Sequence, residues 1–227
     1  MAREVEIDRP GWVEAVIGLV TIAVVAIGGS LALVKSEIDP VLLGLILAAM
    51  SGIGGLTAFA AAWALRRRPL AAFGVRGTSV RWLLIAAGVG VATFVAKGLA
   101  ILLWVHLTGD DRNIQEVYAT GATGGVWTLV VSTLFLSVLT PIGEEFLFRG
   151  VVTSALFRLG PLVGVIAGAF IFALFHGVNM VFPAALVVGL AAGEIFRRSG
   201  SIWTAVTVHV FVNIPTIPVL LLARTLS

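Results

Sequence analysis

The chain has 227 residues, of which 59% are hydrophobic and only 12% are charged, and its mean hydropathy is +1.09. Soluble domains carry about 25% charged residues, so this composition excludes an ordinary soluble domain and predicts an all-α, polytopic transmembrane helical bundle. The net charge of +3 reflects arginines beside apolar segments and does not indicate a nucleic-acid partner. Cysteine is absent, which excludes a thiol nucleophile, a thiolate zinc site and a disulfide.

A membrane-spanning helix needs roughly 20 apolar residues. Segments of this kind predict about seven spans in the cell membrane, at approximately 12–34, 41–65, 82–107, 126–148, 162–182, 183–196 and 202–223. The apolar core of the first segment is too long for a cleaved signal peptide, so we expect a retained span. In the second segment, Ser51 and Gly55 have the spacing that allows close helix packing.

The distribution of Lys and Arg predicts a cytoplasmic N-terminus, because the cytoplasmic loops of membrane proteins are enriched in these residues. With seven spans, eleven arginines then lie on the cytoplasmic side: Arg3, Arg9, Arg66, Arg67, Arg68, Arg76, Arg81, Arg149, Arg158, Arg197 and Arg198. Only Lys35, Arg112 and Arg224 lie outside. Lys97 falls within the third span, where its long side chain is expected to snorkel outwards.

Two adjacent carboxylates, Glu144 and Glu145, fall in the fourth apolar segment. Charge in the hydrocarbon core costs at least about 2.5 kcal/mol per residue, so it is rare and usually functional. Glu145 and Arg149 are four residues apart, which predicts an ion pair on one helix face. Glu144 points about 100° away and stays free for chemistry. Pro141 is expected to begin a new helix with the acids in its first turn.

Two further apolar segments each contribute a histidine, His176 and His209, and Asn213 follows the second by one helical turn. If one helix continues from Glu144 to a turn at Gly160, then Glu144 and His176 lie sixteen residues on either side of that turn. Equal distances from the turn predict equal depth. The spacing from the arginine-rich segments places these groups in the inner leaflet, in a site expected to open towards the cytoplasm.

These residue types support hydrolysis of an acyl bond. A buried carboxylate beside an imidazole can deprotonate water, and a second imidazole with an amide can donate hydrogen bonds to a developing oxyanion. The same groups, namely Glu144, His176 and His209, provide an alternative zinc site with an open position for water. A purely structural role in helix packing is a stronger alternative for Glu145 than for Glu144, because Arg149 offers Glu145 a local partner.

Three motifs resemble those of the CAAX-protease and bacteriocin-processing family (CPBP, also called Abi). The first motif, E-E-x-x-x-R, begins at Glu144; the second, F-x-x-x-H, joins Phe172 to His176; the third, H-x-x-x-N, joins His209 to Asn213. Their order and gaps agree with the family over about residues 126–215. On this resemblance the chain divides into an N-terminal three-span region with loops (1–125) and a catalytic CPBP-like helical core (126–227).

The resemblance implies an intramembrane endopeptidase similar to the CAAX prenyl proteases. Glu144 would be the base that activates water, and His176 would orient or share that water. His209 and Asn213 would stabilise the oxyanion, while supporting roles would fall to Glu145, Arg149 and Phe172. No cofactor is required on this interpretation, and a divalent metal is the alternative. The implied partners are the lipid bilayer and a peptide or protein substrate, either prenylated or of the bacteriocin-leader type.

Two other classes of function remain open. A proton-coupled membrane carrier would relay protons through Glu144 and the histidines, although a carrier should have polar groups in both leaflets. A non-catalytic membrane scaffold or bacteriocin-immunity protein is the second alternative.

Overall fold

The structure is a computed structural model that describes residues 9–226, apart from the side chain of Leu226. Arg3, one of the eleven arginines counted above, lies outside the described residues. Within this range the regular secondary structure is entirely helical. The predicted all-α fold class is therefore confirmed.

The helices follow one another with short connections. In chain order they are α1 (Trp12–Val34), α2 (Pro40–Arg66), α3 (Val80–Thr108), α4 (Glu116–Gly121), α5 (Val126–Leu159), α6 (Pro161–Leu174), α7 (Val181–Ser199), α8 (Ile202–Asn213) and α9 (Thr216–Leu226).

Five segments of the described chain are long and apolar enough to cross a membrane: α1, α2, α3, α5 and the stretch Ile202–Thr225 that joins α8 to α9. They make this a multi-pass membrane protein. The hairpin of α6 and α7 occupies the place of the predicted fifth and sixth spans, and α6 has only 14 residues. Large apolar side chains such as Leu84, Leu107 and Trp127 are exposed on the outer faces, where lipid would contact them.

Helix α5 runs without a break past Pro141 for 34 residues. Wider π-helical turns lie on both sides of the acids, at Phe135–Leu139 and Phe146–Thr153. Proline has no N–H and its ring collides with the preceding turn of a regular α-helix, and the π-helical turn just before Pro141 relieves that conflict. The expected helix start at Pro141 and the predicted end near 148 are therefore wrong, and the acids lie inside a helix. The expected turn at Gly160 is present, with a φ of 116°.

Helices α2 and α5 approach each other backbone to backbone next to the acids. A Cβ atom added to Gly143 would lie 2.0 Å from the Gly52 carbonyl oxygen, and one added to Gly55 would lie 2.4 Å from the Gly143 backbone. Only glycine fits at such distances. The small-residue spacing predicted for α2 is therefore a packing surface, and it brings Ser51 to the level of Glu144.

One end of the bundle, which we name the arginine-rich end, gathers the basic residues. Glu14 is fully buried there and lies 3.2 Å from Arg68 Nε and 3.6 Å from Arg66 Nε. Arg158 donates a hydrogen bond to the Pro10 carbonyl. These contacts tie the start of α1 to the ends of α2 and α5.

The opposite end holds α4 and the segments beside it. Arg224 on α9 pairs with Glu116 on α4, and the Ser132 hydroxyl of α5 donates to the Tyr118 carbonyl. Gly44 and Gly121 pack closely enough that neither has room for a Cβ atom. Helix α4 is thereby fixed between the outer parts of α2, α5 and α9.

Candidate active site

Glu144 is buried, with 4% of its surface exposed. The Ser51 hydroxyl of α2 donates a 2.5 Å hydrogen bond to Glu144 Oε1. The other oxygen, Oε2, has no hydrogen-bond partner among the described protein atoms. It lies 3.9 Å from His209 Nε2. One carboxylate oxygen is thus fixed by the protein, and the other is available to a reactant.

Glu145 joins two cationic or potentially cationic groups. Its Oε1 lies 2.9 Å from Arg149 Nη1 and 2.8 Å from His209 Nδ1. The predicted ion pair with Arg149 is therefore present, and the contact with His209 was not predicted. A carboxylate on Nδ1 holds the proton on that nitrogen and directs Nε2 towards the site. Glu145 consequently orients the imidazole that faces Glu144.

Arg149 is almost completely buried, with 1% of its surface exposed. Besides Glu145, it contacts the Gly189 carbonyl through Nη2 at 3.3 Å, and its guanidinium carbon lies 4.5 Å from the centre of the Phe172 ring. It therefore lies inside the bundle, and its placement among the cytoplasmic arginines was wrong. The supporting residues of the first two motifs form one buried cluster behind Glu144.

His176 and Asn213 make their described hydrogen bonds to backbone carbonyls. His176 lies just beyond the end of α6, and its Nδ1 is 2.9 Å from the Phe172 carbonyl oxygen. Asn213 ends α8 and donates through Nδ2 to the Leu136 carbonyl in the π-helical part of α5 at 3.0 Å. The described contacts do not include one between His176 and Glu144. The imidazole closest to that acid belongs to His209.

A largely apolar cavity of about 860 Å³ connects these groups. Its walls include all four predicted catalytic residues, Glu144, His176, His209 and Asn213, together with Phe172. Glu145 and Arg149 do not line it and lie behind the wall. The structure therefore brings the three motifs to a single hollow, which has the size of a small-molecule or short-peptide site.

The cavity extends away from the arginine-rich end. Its walls continue to Asn113, Gln115 and Tyr118 at the opposite end, and it is flanked by apolar residues of α1 and α3. Because α5 continues to Leu159, Glu144 lies about 22 Å along the helix from its arginine-rich end, at 1.5 Å per residue. The inner-leaflet position was predicted from a span that ends near 148, and the longer helix places Glu144 further from the arginine-rich end than that prediction assumed. If the N-terminus is cytoplasmic, this cavity therefore extends away from the cytoplasmic side.

Two polar residues of the site escaped the sequence analysis. Ser51 was interpreted only as part of a packing surface, although a hydroxyl in an apolar helix was the available signal. Lys97 was expected to snorkel outwards, and this was wrong: its Nζ lies 3.3 Å from both the Val212 carbonyl oxygen and the Thr216 hydroxyl, and it lines the cavity. Both come from the N-terminal region, where no motif was recognised.

The donor geometry does not match the alternative zinc site. Within residues 9–226, no three His, Cys, Asp or Glu side chains are grouped closely enough to hold a metal ion. Glu144, His176 and His209 share a cavity wall without forming such a group. The donors of the described residues therefore do not form a three-ligand metal site.

Comparison with known proteins agrees with the motifs. Residues 125–215, about two fifths of the chain, match the model of a family described as type II CAAX prenyl endopeptidase Rce1-like. No curated protein and no solved structure matches the chain. The matched segment includes α5 to α8 and contains all three motifs. Over this segment the chain is similar to the CAAX-type proteases of the CPBP family, in agreement with the three motifs.

Proposed function

We propose that this protein is an intramembrane endopeptidase, resembling the CAAX prenyl proteases, in which Glu144 activates water for attack on a peptide bond. The observation that carries the proposal is the asymmetry of the Glu144 carboxylate. Ser51 holds Oε1, while Oε2 makes no hydrogen bond within the described protein and lies 3.9 Å from His209 Nε2 in an apolar cavity.

The reaction begins with a water molecule hydrogen-bonded to Glu144 Oε2. Its oxygen forms a bond to the carbonyl carbon while its proton moves to Oε2. The tetrahedral intermediate carries two oxygens on that carbon, one from water and one from the substrate carbonyl. When the C–N bond breaks, Glu144 returns the proton to the leaving amine. Atoms and charge balance without any further reactant.

His209 is suited to stabilise the carbonyl oxygen as it becomes negative. When its ring is protonated, Nε2–H donates towards the site while Nδ1–H remains bonded to Glu145 at 2.8 Å. A carboxylate on the far nitrogen stabilises the imidazolium in the same way as the acid of a serine-protease triad. Asn213 has one amide N–H beyond the bond to Leu136 and is assigned as the second donor.

His176 is assigned to orienting the water. With Nδ1–H donated to the Phe172 carbonyl, Nε2 remains as an acceptor on the cavity wall. Phe172 packs against this ring with a centroid separation of 4.6 Å and also covers Arg149. The F-x-x-x-H motif thereby connects the imidazole to the buried ion pair. No cofactor takes part in this mechanism.

Residues 126–227 are proposed as the catalytic core because they hold all four catalytic residues. The N-terminal region, residues 1–125, is more than an anchor, since it contributes Ser51 and Lys97 to the cavity. We therefore expect the isolated core to lack activity.

The substrate is a peptide or protein that reaches a site within the bilayer, and prenylated peptides and bacteriocin-type leaders are the classes to test. We propose that the arginine-rich end faces the cytoplasm, in accordance with the positive-inside rule. The cavity then extends towards the outer leaflet. This orientation follows the charge distribution and replaces the expectation of a cytoplasmic opening.

The two alternatives have less support. A proton-coupled carrier needs polar groups along a path through both leaflets, whereas the catalytic groups here surround one cavity that extends to one end of the bundle. A scaffold or bacteriocin-immunity protein would not require a carboxylate oxygen left without a partner in a buried position.

The test uses purified full-length protein and mass spectrometry of candidate peptides, including a farnesylated C-terminal peptide and a leader peptide. Glu144→Gln should abolish cleavage while the variant still folds. The matched control is Glu194→Gln, which alters a carboxylate paired with Arg197 and Arg198 outside the cavity. Equal cleavage by the Glu144→Gln variant and the parent would show that the catalytic assignment is wrong.

Elemental analysis of the same preparation tests the metal-free mechanism. If the parent protein contains stoichiometric zinc and a Glu144→Gln or His209→Gln variant does not, the mechanism is metal-dependent. A comparison of new protein termini in membranes that contain the parent or the Glu144→Gln variant would then identify natural substrates.

A further inference from the structure

We infer that Lys97 forms an anion-binding subsite of the catalytic cavity and binds the C-terminal carboxylate of the peptide substrate. This inference rests on the proposed function and deepens it. It assigns a substrate contact to a residue of α3, which lies outside the three motifs and outside the matched segment.

The Lys97 ammonium has only weak neutral partners. Its Nζ lies 3.3 Å from the Val212 carbonyl oxygen and 3.3 Å from the Thr216 hydroxyl, and 5.2 Å from the centre of the Phe94 ring. No carboxylate of residues 9–226 forms an ion pair with it. The three N–H donors of the ammonium therefore make two long hydrogen bonds, both to neutral groups.

Such a charge is costly in an apolar environment unless an anion compensates it. Among the residues that line the cavity, the charged side chains are Lys97 and Glu144. Glu144 is engaged by Ser51 and lies beside His209. The cavity thus carries an acid for catalysis and a separate cation whose counter-ion the described protein does not provide.

Lys97 lies close to the third motif, which contributes His209 and Asn213 to the site. The Val212 carbonyl that it contacts belongs to the peptide bond leading into Asn213, so the ammonium lies beside the third motif. A C-terminal CAAX tail ends three residues after the modified cysteine, which is about 10 Å of extended chain. Lys97 and Glu144 line the same cavity, so we expect the Lys97 ammonium to anchor the end of such a tail and thereby to fix which bond is cut.

A structural role makes a different prediction. Lys97 also lies at the C-terminal end of α8, where a cation stabilises the last carbonyls of a helix. If capping were its only role, replacement would lower stability and reduce cleavage of all peptides equally. Recognition of a carboxylate requires discrimination between a free acid and its amide, and this ratio is insensitive to a general loss of activity.

The experiment compares two farnesylated peptides that differ only in ending with a carboxylate or a carboxamide. Purified full-length protein in detergent should cleave the acid with a kcat/KM about 10- to 100-fold higher, as expected for a hydrogen bond to a charged group. Lys97→Met should bring the ratio close to one with amide cleavage retained, and Lys97→Arg should keep part of the preference. Lys35→Met, which alters an exposed lysine outside the cavity, is the matched control.

A parent ratio near one, or a ratio that Lys97→Met leaves unchanged, overturns the inference. If Lys97→Met does not fold, the parent ratio and the Lys97→Arg variant decide the question. If the parent cleaves neither peptide, prenylated peptides are excluded as substrates under the proposed function, and equilibrium binding of the same pair then tests the subsite. The subsite is supported if the acid peptide binds more tightly than the amide peptide and Lys97→Gln removes this difference. It is refuted if the two peptides bind equally, or if phosphatidylglycerol is the only molecule whose binding depends on Lys97.

Discussion

Ser51 and Glu144 lie 93 residues apart in the chain, yet the Ser51 hydroxyl donates a 2.5 Å hydrogen bond to Glu144 Oε1. The close approach of Gly52 and Gly55 to Gly143 makes this contact possible. It connects the N-terminal helices to the carboxylate that we propose as the base, and Oε2 of that carboxylate has no hydrogen-bond partner among the described residues. The first motif is therefore completed by a residue outside the matched segment.

Replacement of Ser51 by alanine should lower kcat/KM by about 10- to 100-fold, because a hydrogen bond to a charged group contributes about 1.5–3 kcal/mol. Steady-state cleavage of the acid peptide measures the effect. Ser30→Ala, a change at another serine of the cavity wall, is the control and should retain activity. Unchanged kinetics of Ser51→Ala would mean that this hydroxyl does not position the base.

The contact between α2 and α5 should tolerate no side chain at Gly143. Gly143→Ala places a Cβ 2.0 Å from the Gly52 carbonyl oxygen, and such overpacking costs at least about 1–3 kcal/mol. The thermal midpoint in detergent should fall and cleavage should be lost. Gly88→Ala in α3 is the control, since no atom lies within 4 Å of its added Cβ. Wild-type stability of Gly143→Ala would contradict this packing.

Glu145 should matter both for stability and for catalysis, because it contacts Arg149 and His209 together. Glu145→Gln leaves a buried arginine without its carboxylate, which costs about 3–5 kcal/mol. The double variant Glu145→Gln with Arg149→Met should recover much of that stability in thermal unfolding. It should remain inactive, since His209 has still lost the acid that orients it.

A double-mutant cycle separates the two roles of Glu145. Recovery of both stability and activity in the double variant would mean that Glu145 serves only to neutralise Arg149. If the double variant recovers neither stability nor activity, the main effect of Glu145→Gln is on packing.

The orientation can be measured directly because the chain has no cysteine of its own. Gly77 lies beside the arginine-rich end and Asp111 at the opposite end, and both residues are exposed. Each can therefore be replaced by a single cysteine. In intact cells a membrane-impermeant maleimide should label Asp111→Cys, and Gly77→Cys should react only after lysis. The reverse pattern would place the N-terminus outside and turn the cavity towards the cytoplasm.

Local features of this protein were determined by its sequence. The apolar runs of about 20 residues predict membrane-spanning helices, because a helix satisfies its own backbone hydrogen bonds in lipid. The Glu145–Arg149 ion pair follows from a spacing of four residues on one helix, and the turn at Gly160 follows from a glycine before a proline. The motif spacing likewise indicated which polar residues share the site.

Contacts between distant helices were decided only by the tertiary structure. Neither the hydrogen bond from Ser51 to Glu144 nor the contact of Glu145 with His209 has a local signal, since each depends on how closely two helices approach. The inward direction of Lys97 depends on the carbonyl that α8 presents to it. The end to which the cavity extends depends on where α4 packs. Sequence periodicity selects a helix face, but the packing of neighbouring helices determines what that face meets.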